Sequence, residues 1–157
     1  MLDYMRISEE YRYKTELHAH TKPVSLCSEI TPEEIVRAYY EYGCDTLTVT
    51  NHLNPDWTPS RTDEYLSGYY DTKKAAEGTG MNVVLGVEIR FTENANDYLV
   101  YGVSFGDIEK MIRLIPYGIT EFYKEIKTRE NIVLQAHPFR NGMTLAPLDS
   151  IDGIETF

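Results

Sequence analysis

The stretch Thr31-Pro32-Glu33-Glu34-Ile35-Val36-Arg37-Ala38-Tyr39-Tyr40-Glu41-Tyr42-Gly43-Cys44-Asp45-Thr46-Leu47-Thr48-Val49-Thr50 decides the fold class, because it runs from a helix straight into a strand. Thr31 can accept a hydrogen bond from an orphan backbone N–H, Pro32 suits the first helical position, and Glu34 completes a capping box. Ile35, Val36, Ala38, Tyr39 and Tyr42 recur at helical spacing, and Gly43 marks the stop. Thr46 to Thr50 is rich in β-branched residues and reads as a strand ending at Asn51-His52.

Outward from this unit the same alternation continues. Upstream, Tyr11 to His18 reads as the first strand. Downstream, Thr62 to Glu77 reads as a helix weakened by Gly68, and Asn82 to Phe91 as the third strand. Tyr98 to Val103 is the fourth, and Ile119, Phe122 and Ile126 mark one face of a helix within residues 106–130. Ile132 to Ala136 is the fifth strand, ending at His137-Pro138, and Ile151 to Phe157 opens a sixth unit. Strand–helix–strand order predicts an α/β fold with parallel strands and right-handed crossovers, for which a barrel and an open sheet both fit. The last residues, Ile154-Glu155-Thr156-Phe157, read as a strand with no following helix, so the domain is expected to be cut short at its C-terminal side.

The 157 residues are the size of one domain. Fifteen Lys and Arg against 25 Asp and Glu leave a net charge of −10, which argues against a general nucleic-acid binder but not against a small phosphorylated substrate. A hydrophobic content of 42% supports a core and excludes a disordered chain. No apolar run reaches membrane-spanning length, and Met1 to Tyr13 lacks the pattern of a secretory signal. Two cysteines, Cys27 and Cys44, make no disulfide framework, so a reducing cytoplasm is the expected compartment. Both read as ordinary packing thiols.

The four histidines, His18, His20, His52 and His137, each stand at the C-terminal end of an expected strand, the edge where parallel α/β folds build their sites. His18 and His20 share strand parity, so both imidazoles can reach one metal or two adjacent metals. Glu88 lies inside the apolar run Val83 to Ile89, where an unpaired carboxylate costs several kcal/mol. It is either a metal ligand or the partner of a cation, and Arg90, of the same parity, competes for that role. No Gly-x-Ser-x-Gly elbow and no phosphate-binding Gly-x-x-x-x-Gly-Lys loop occurs.

Taken in order, Glu16-Leu17-His18-Ala19-His20-Thr21, Thr31-Pro32-Glu33-Glu34-Ile35-Val36, Thr48-Val49-Thr50-Asn51-His52, Gly86-Val87-Glu88-Ile89 and Gln135-Ala136-His137-Pro138 resemble the PHP (polymerase and histidinol phosphatase) family. The resemblance implies a distorted TIM-like (β/α)7 barrel, two or three divalent metal ions (zinc, manganese or iron) at the C-terminal strand ends, and metal-dependent phosphoester hydrolysis. It matches His18, His20, His52, Glu88 and His137 to family ligands. The sequence departs from the family where Ser25-Leu26-Cys27-Ser28-Glu29 replaces a Ser-Asp-Gly-like turn, where Asn51 replaces an Asp, and where a ligand His near the fourth strand is absent. Asp97 there is either an oxygen ligand or a solvated turn residue. A late Asp-x-His motif is also missing, so one PHP domain over 1–157 without its final strands is expected, weakly active or inactive on its own.

Lys22 and Arg140, each within three residues of a ligand candidate, are either phosphate clamps or solvated charges. Histidinol phosphate, nucleotide phosphates and oligonucleotide ends all suit the family, and the acidic balance favours small substrates. Two other readings stay open: an amidohydrolase-like metal hydrolase, and a noncatalytic or regulatory module. An incomplete barrel would leave an edge that oligomerisation could cover.

Overall fold

A computed structural model describes residues 10–156. The first strand, β1, spans Thr15–Ala19. Helix α1 follows at Pro32–Glu41, with the expected capping box: the Glu34 N–H donates to Thr31 Oγ1 at 3.2 Å, and Glu34 Oε2 accepts from the Thr31 N–H at 2.8 Å. Strand β2 is Thr46–Val49 and the two-residue β3 is His52–Leu53. Helix α2, Thr62–Ala75, leads to the long β4, Asn82–Arg90, then to β5, Asp97–Tyr101. Helices α3, Asp107–Leu114, and α4, Gly118–Ile126, precede β6, Ile132–Gln135, and β7, Gly153–Ile154.

These strands form one curled sheet in the order β1-β2-β4-β5-β6-β7, with β3 also paired to β4. The curl brings β5 back toward β1, where the Tyr101 hydroxyl donates to the Leu17 carbonyl at 3.0 Å. The result is an α/β half-barrel, an incomplete TIM-like barrel among the described residues. Its core holds Leu47, Leu53, Val87, Ile89, Val100 and Val133 from the sheet, against Ile108, Met111 and Phe122 from the helices, all fully buried.

The sheet is not all parallel, and this corrects the expected topology. β1–β2, β2–β4, β3–β4 and β6–β7 are parallel, but β5 runs antiparallel to both β4 and β6. The cause is the connection: residues 91–96 are too few for a crossover, which needs roughly a dozen or more, so the chain turns back as a hairpin. The reversal still serves the rim. β5 starts at the edge where the parallel strands end, and β6, reversed again, ends there.

The helix expected within residues 106–130 is two helices. Pro116 interrupts it inside a 3₁₀ turn at Ile115–Tyr117, and Gly118 follows at φ +78°. The Ile119 N–H then donates to Glu93 Oε1 at 2.9 Å, so a loop carboxylate satisfies the start of α4. Gly68, expected to weaken α2, sits where a Cβ would collide with the Asn51 amide nitrogen and stand 3.0 Å from Val24. A glycine there lets the helix lie close over the rim. The expected strand from Ile151 is reduced to Gly153–Ile154, and Phe157 lies outside the described residues.

Candidate metal centre

Glu88 is the centre around which the site is built. It is fully buried on β4, directly opposite His52 in the parallel ladder with β3. His52 Nδ1 stands 2.8 Å from Glu88 Oε2, and His20 Nε2 stands 3.3 Å from the same oxygen. On the other oxygen, Oε1, His137 Nε2 approaches to 3.1 Å and His18 Nε2 to 3.3 Å. The rings pack together: His20 stacks on His52 with centroids 4.5 Å apart, and His18 stacks on His137 at 5.9 Å. All four histidines and Glu88 therefore meet in one place, from β1, β3, β4 and the end of β6. Arg90 does not pair with Glu88; its guanidinium binds Asp97 instead, at 2.7 and 2.6 Å.

Backbone chemistry explains how residues distant in sequence arrive together. Asn51, buried behind the site, accepts from the Thr21 N–H at 2.8 Å and from the Ser25 hydroxyl at 2.9 Å. Ser25 Oγ in turn accepts from the His52 N–H at 2.9 Å. One amide thus ties the turn after His20 to the strand that carries His52. The Tyr65 hydroxyl donates to the Asn51 carbonyl from α2. His137 has φ +29°, unusual for a non-glycine residue, and its N–H donates to Glu155 Oε2 at 2.8 Å.

Glu155 was not singled out in the sequence. It holds His18 Nδ1 at 2.8 Å through its other oxygen, so one carboxylate orients two histidines. The available signal was its position: like Glu88, it directly follows an apolar pair on a strand. Asp97 is buried rather than solvated, which rules out the turn-residue reading; its Oδ2 lies 3.9 Å from His137 Nε2. Arg140 lines the site cavity, whereas Lys22 is exposed and is not among the lining residues. Cys27 corrects the packing expectation: it is exposed, outside the core, and lines the cavity beside His20 and His52. Cys44 does pack against the core.

The shared carboxylate and burial push the histidines in opposite directions. Burial disfavours a charge on His18, yet hydrogen bonds to Glu88 and Glu155 overcome it and raise its pKa to about 9. Burial dominates at His20, helped by the neighbouring His52 and His18, and lowers its pKa to about 4, so its imidazole is neutral at physiological pH, the form that binds metal. Burial would push Glu88 up, but the His18 and His52 rings hold it well below the ordinary carboxylate range. Glu88 Oε2, His20 Nδ1 and His137 Nδ1 are buried without a hydrogen-bond partner among the described residues. Buried polar atoms are seldom left so, and this donor set of imidazole and carboxylate fits a divalent metal. Among the described residues, three groups bring ligand atoms within 4.8 Å of one another: His18–Glu88–His137, His20–Cys27–His52 and His52–Glu88–Asp97.

The cavity over this cluster has a volume of about 500 Å³, of the size that takes a small molecule. A depression of about 570 Å³ beside Trp57 and Pro116 is lined by no histidine, cysteine or carboxylate. Among the described residues, no helix is long and apolar enough to cross a membrane.

The sequence profile of the PHP domain matches residues 16–155, nearly the whole chain and every residue of the cluster. The chain belongs to the PHP domain family. Among solved structures, the fold is similar to that of a "putative metal-dependent phosphoesterase" from Bifidobacterium adolescentis, with a TM-score of 0.59 at 15% identity, covering 92% of this chain and 77% of that one. No curated protein sequence matches the chain.

Proposed function

We infer that this protein is a metal-dependent phosphoesterase acting on a small phosphorylated substrate. The observation that carries the reading is the convergence of four imidazoles on the two oxygens of the buried Glu88. His18, His20, His52, Glu88 and His137 would hold two or three divalent ions, with Asp97 as a further oxygen donor. Such ions, when bound, supply hydroxide near neutral pH and neutralise charge on a phosphoryl group.

The chain's own residues prepare that chemistry. Glu88 gives each pair of histidines one shared oxygen. Glu155 orients His18 and fixes the backbone of His137. Asn51 and Ser25 keep His20 and His52 in register. Arg140, on the cavity wall, offers a guanidinium fork to the substrate's phosphate. A cavity of about 500 Å³ and a net charge of −10 favour a small phosphomonoester or an oligonucleotide end over a long nucleic acid. Two free thiols suit a reducing cytoplasm.

The test is phosphate release from a generic phosphomonoester with manganese or zinc, before and after chelation. Activity that chelation abolishes and metal restores supports the reading. A metal-loaded protein that releases no phosphate from monoesters, diesters or oligonucleotide ends overturns it in favour of a noncatalytic module.

A further inference from the structure

The turn after His20 places a thiol in the cluster. Ser25 is fixed to Asn51, and the Ser28 hydroxyl donates to the His20 carbonyl at 3.1 Å, so Cys27 is held between two anchored serines. Its Sγ lies within 4.8 Å of ligand nitrogens of both His20 and His52. It makes no contribution to the core. A cysteine alone would define nothing, but a second observation meets the same two imidazoles. Glu88 Oε2 is buried, lies 3.3 Å from His20 Nε2 and 2.8 Å from His52 Nδ1, and has no hydrogen-bond partner among the described residues. The thiol and the carboxylate oxygen thus each approach the same imidazole pair.

We propose that Cys27 supplies a thiolate ligand to a metal ion held with His20, His52 and Glu88 Oε2, making this part of the cluster selective for zinc over manganese. The inference rests on the reading of the cluster as a metal centre. Two nitrogens, one oxygen and one sulfur make a four-ligand set typical of zinc, whereas manganese prefers oxygen-rich surroundings. On binding, Cys27 Sγ forms the metal–sulfur bond and its proton passes to solvent. In the other half of the cluster, His18, His137 and Glu88, no cysteine joins the group among the described residues, so the two halves would differ in metal preference.

The test loads the metal-free full chain with cobalt(II) and records its near-ultraviolet spectrum. The wild type should show a thiolate-to-cobalt charge-transfer band, and Cys27→Ser should bind cobalt without it. Zinc affinity should fall about tenfold or more in Cys27→Ser, at least the loss seen when an outer-shell partner is removed, with manganese affinity nearly unchanged. Zinc, but not manganese, should protect Cys27 from alkylation mapped by mass spectrometry, while Cys44 reacts equally with either metal. Cobalt bound by the wild type with no sulfur band overturns the role of Cys27 and leaves the metal centre standing. No cobalt bound at all overturns the metal centre itself, and the ligand with it. Because Cys27 is exposed, Cys27→Ser should keep the wild-type circular dichroism spectrum, which is recorded alongside.

Discussion

Arg90 and Asp97 face each other across the β4–β5 ladder, and the guanidinium grips both carboxylate oxygens, at 2.7 and 2.6 Å. This pairing removes the one cation on β4 that could have neutralised Glu88, two residues away. Glu88 is left to the histidines, and the strand carries a histidine-bound carboxylate beside a structural ion pair.

Removing the guanidinium should therefore strand the buried Asp97. Arg90→Met keeps the aliphatic stem and deletes the charge. Breaking a buried pair costs ~3–5 kcal/mol, but solvent screens an exposed partner. Arg90 is 37% exposed, so the expected loss is reduced. We expect about 2–3 kcal/mol in urea unfolding. A loss below about 0.5 kcal/mol, the scale of a surface pair, would show that Asp97 needs no partner.

Glu88→Gln preserves shape and removes the shared negative charge. The variant should fold, because the carboxylate contacts imidazoles rather than the apolar core. Metal content after purification should fall to a small fraction of wild type, by elemental analysis. His18→Ala with His20→Ala should do the same. Wild-type metal content in either variant would disprove the cluster, whereas loss of soluble protein would mean that metal holds the fold together.

Gly68→Ala sets helix propensity against packing. Alanine in a helix interior is favoured by ~1 kcal/mol. At this position its Cβ would run into the Asn51 amide nitrogen and come within 3.0 Å of Val24. Asn51 cannot yield freely, since it is bonded to Thr21 and Ser25. Overpacking of this kind costs ~1–3 kcal/mol, so the net effect should be destabilising by about 1 kcal/mol, a melting temperature lower by a few degrees. Because the strain falls on the residue that ties His20 to His52, metal affinity should drop too. A raised melting temperature with unchanged affinity would show that Asn51 moves without consequence.

The elements were legible where one period or one cap dominated. The capping box at Thr31 and Glu34 is formed as read, and the β-branched Thr46 to Val49 is a strand. The direction of β5 is not marked by the alternation of strands and helices; it lies in the six residues between Arg90 and Asp97, which are too few for a crossover. The four histidines could be collected from sequence because each follows an apolar run. Glu155 and Cys27 are harder to find: Glu155 follows only the short pair Gly153-Ile154, and a thiol in a polar turn has no local period to mark it. Their roles depend on β7 lying beside β6 and on Ser25 bonding to Asn51, contacts made across long sequence separations.

Asp152 holds that last strand in place, and its contribution should depend on pH. Its carboxylate accepts from Lys127 Nζ at 2.7 Å, from the Val133 N–H at 2.8 Å and from the Tyr123 hydroxyl at 2.9 Å, while its own N–H donates to the Val133 carbonyl. Partial burial alone would push the carboxyl up, but these donors outweigh it and hold the group below the ordinary aspartate range. A carboxyl depressed in the folded state stabilises at pH values above its unfolded pKa of ~3.9 and loses that contribution as pH falls further. Asp152→Ala should cost about 1 kcal/mol at pH 7, below the ~1.5–3 kcal/mol of a charge-assisted bond because the group keeps contact with solvent. The gap between variant and wild type should persist from neutral pH down to about pH 4 and close below it. Because Glu155 orients His18 from the residues directly after β7, Asp152→Ala should also weaken metal binding at neutral pH. Unfolding curves at pH 7, 5 and 3 check the first claim and metal titration checks the second. A stability gap that stays constant down to pH 3 would mean that packing, not the charge of Asp152, secures the strand.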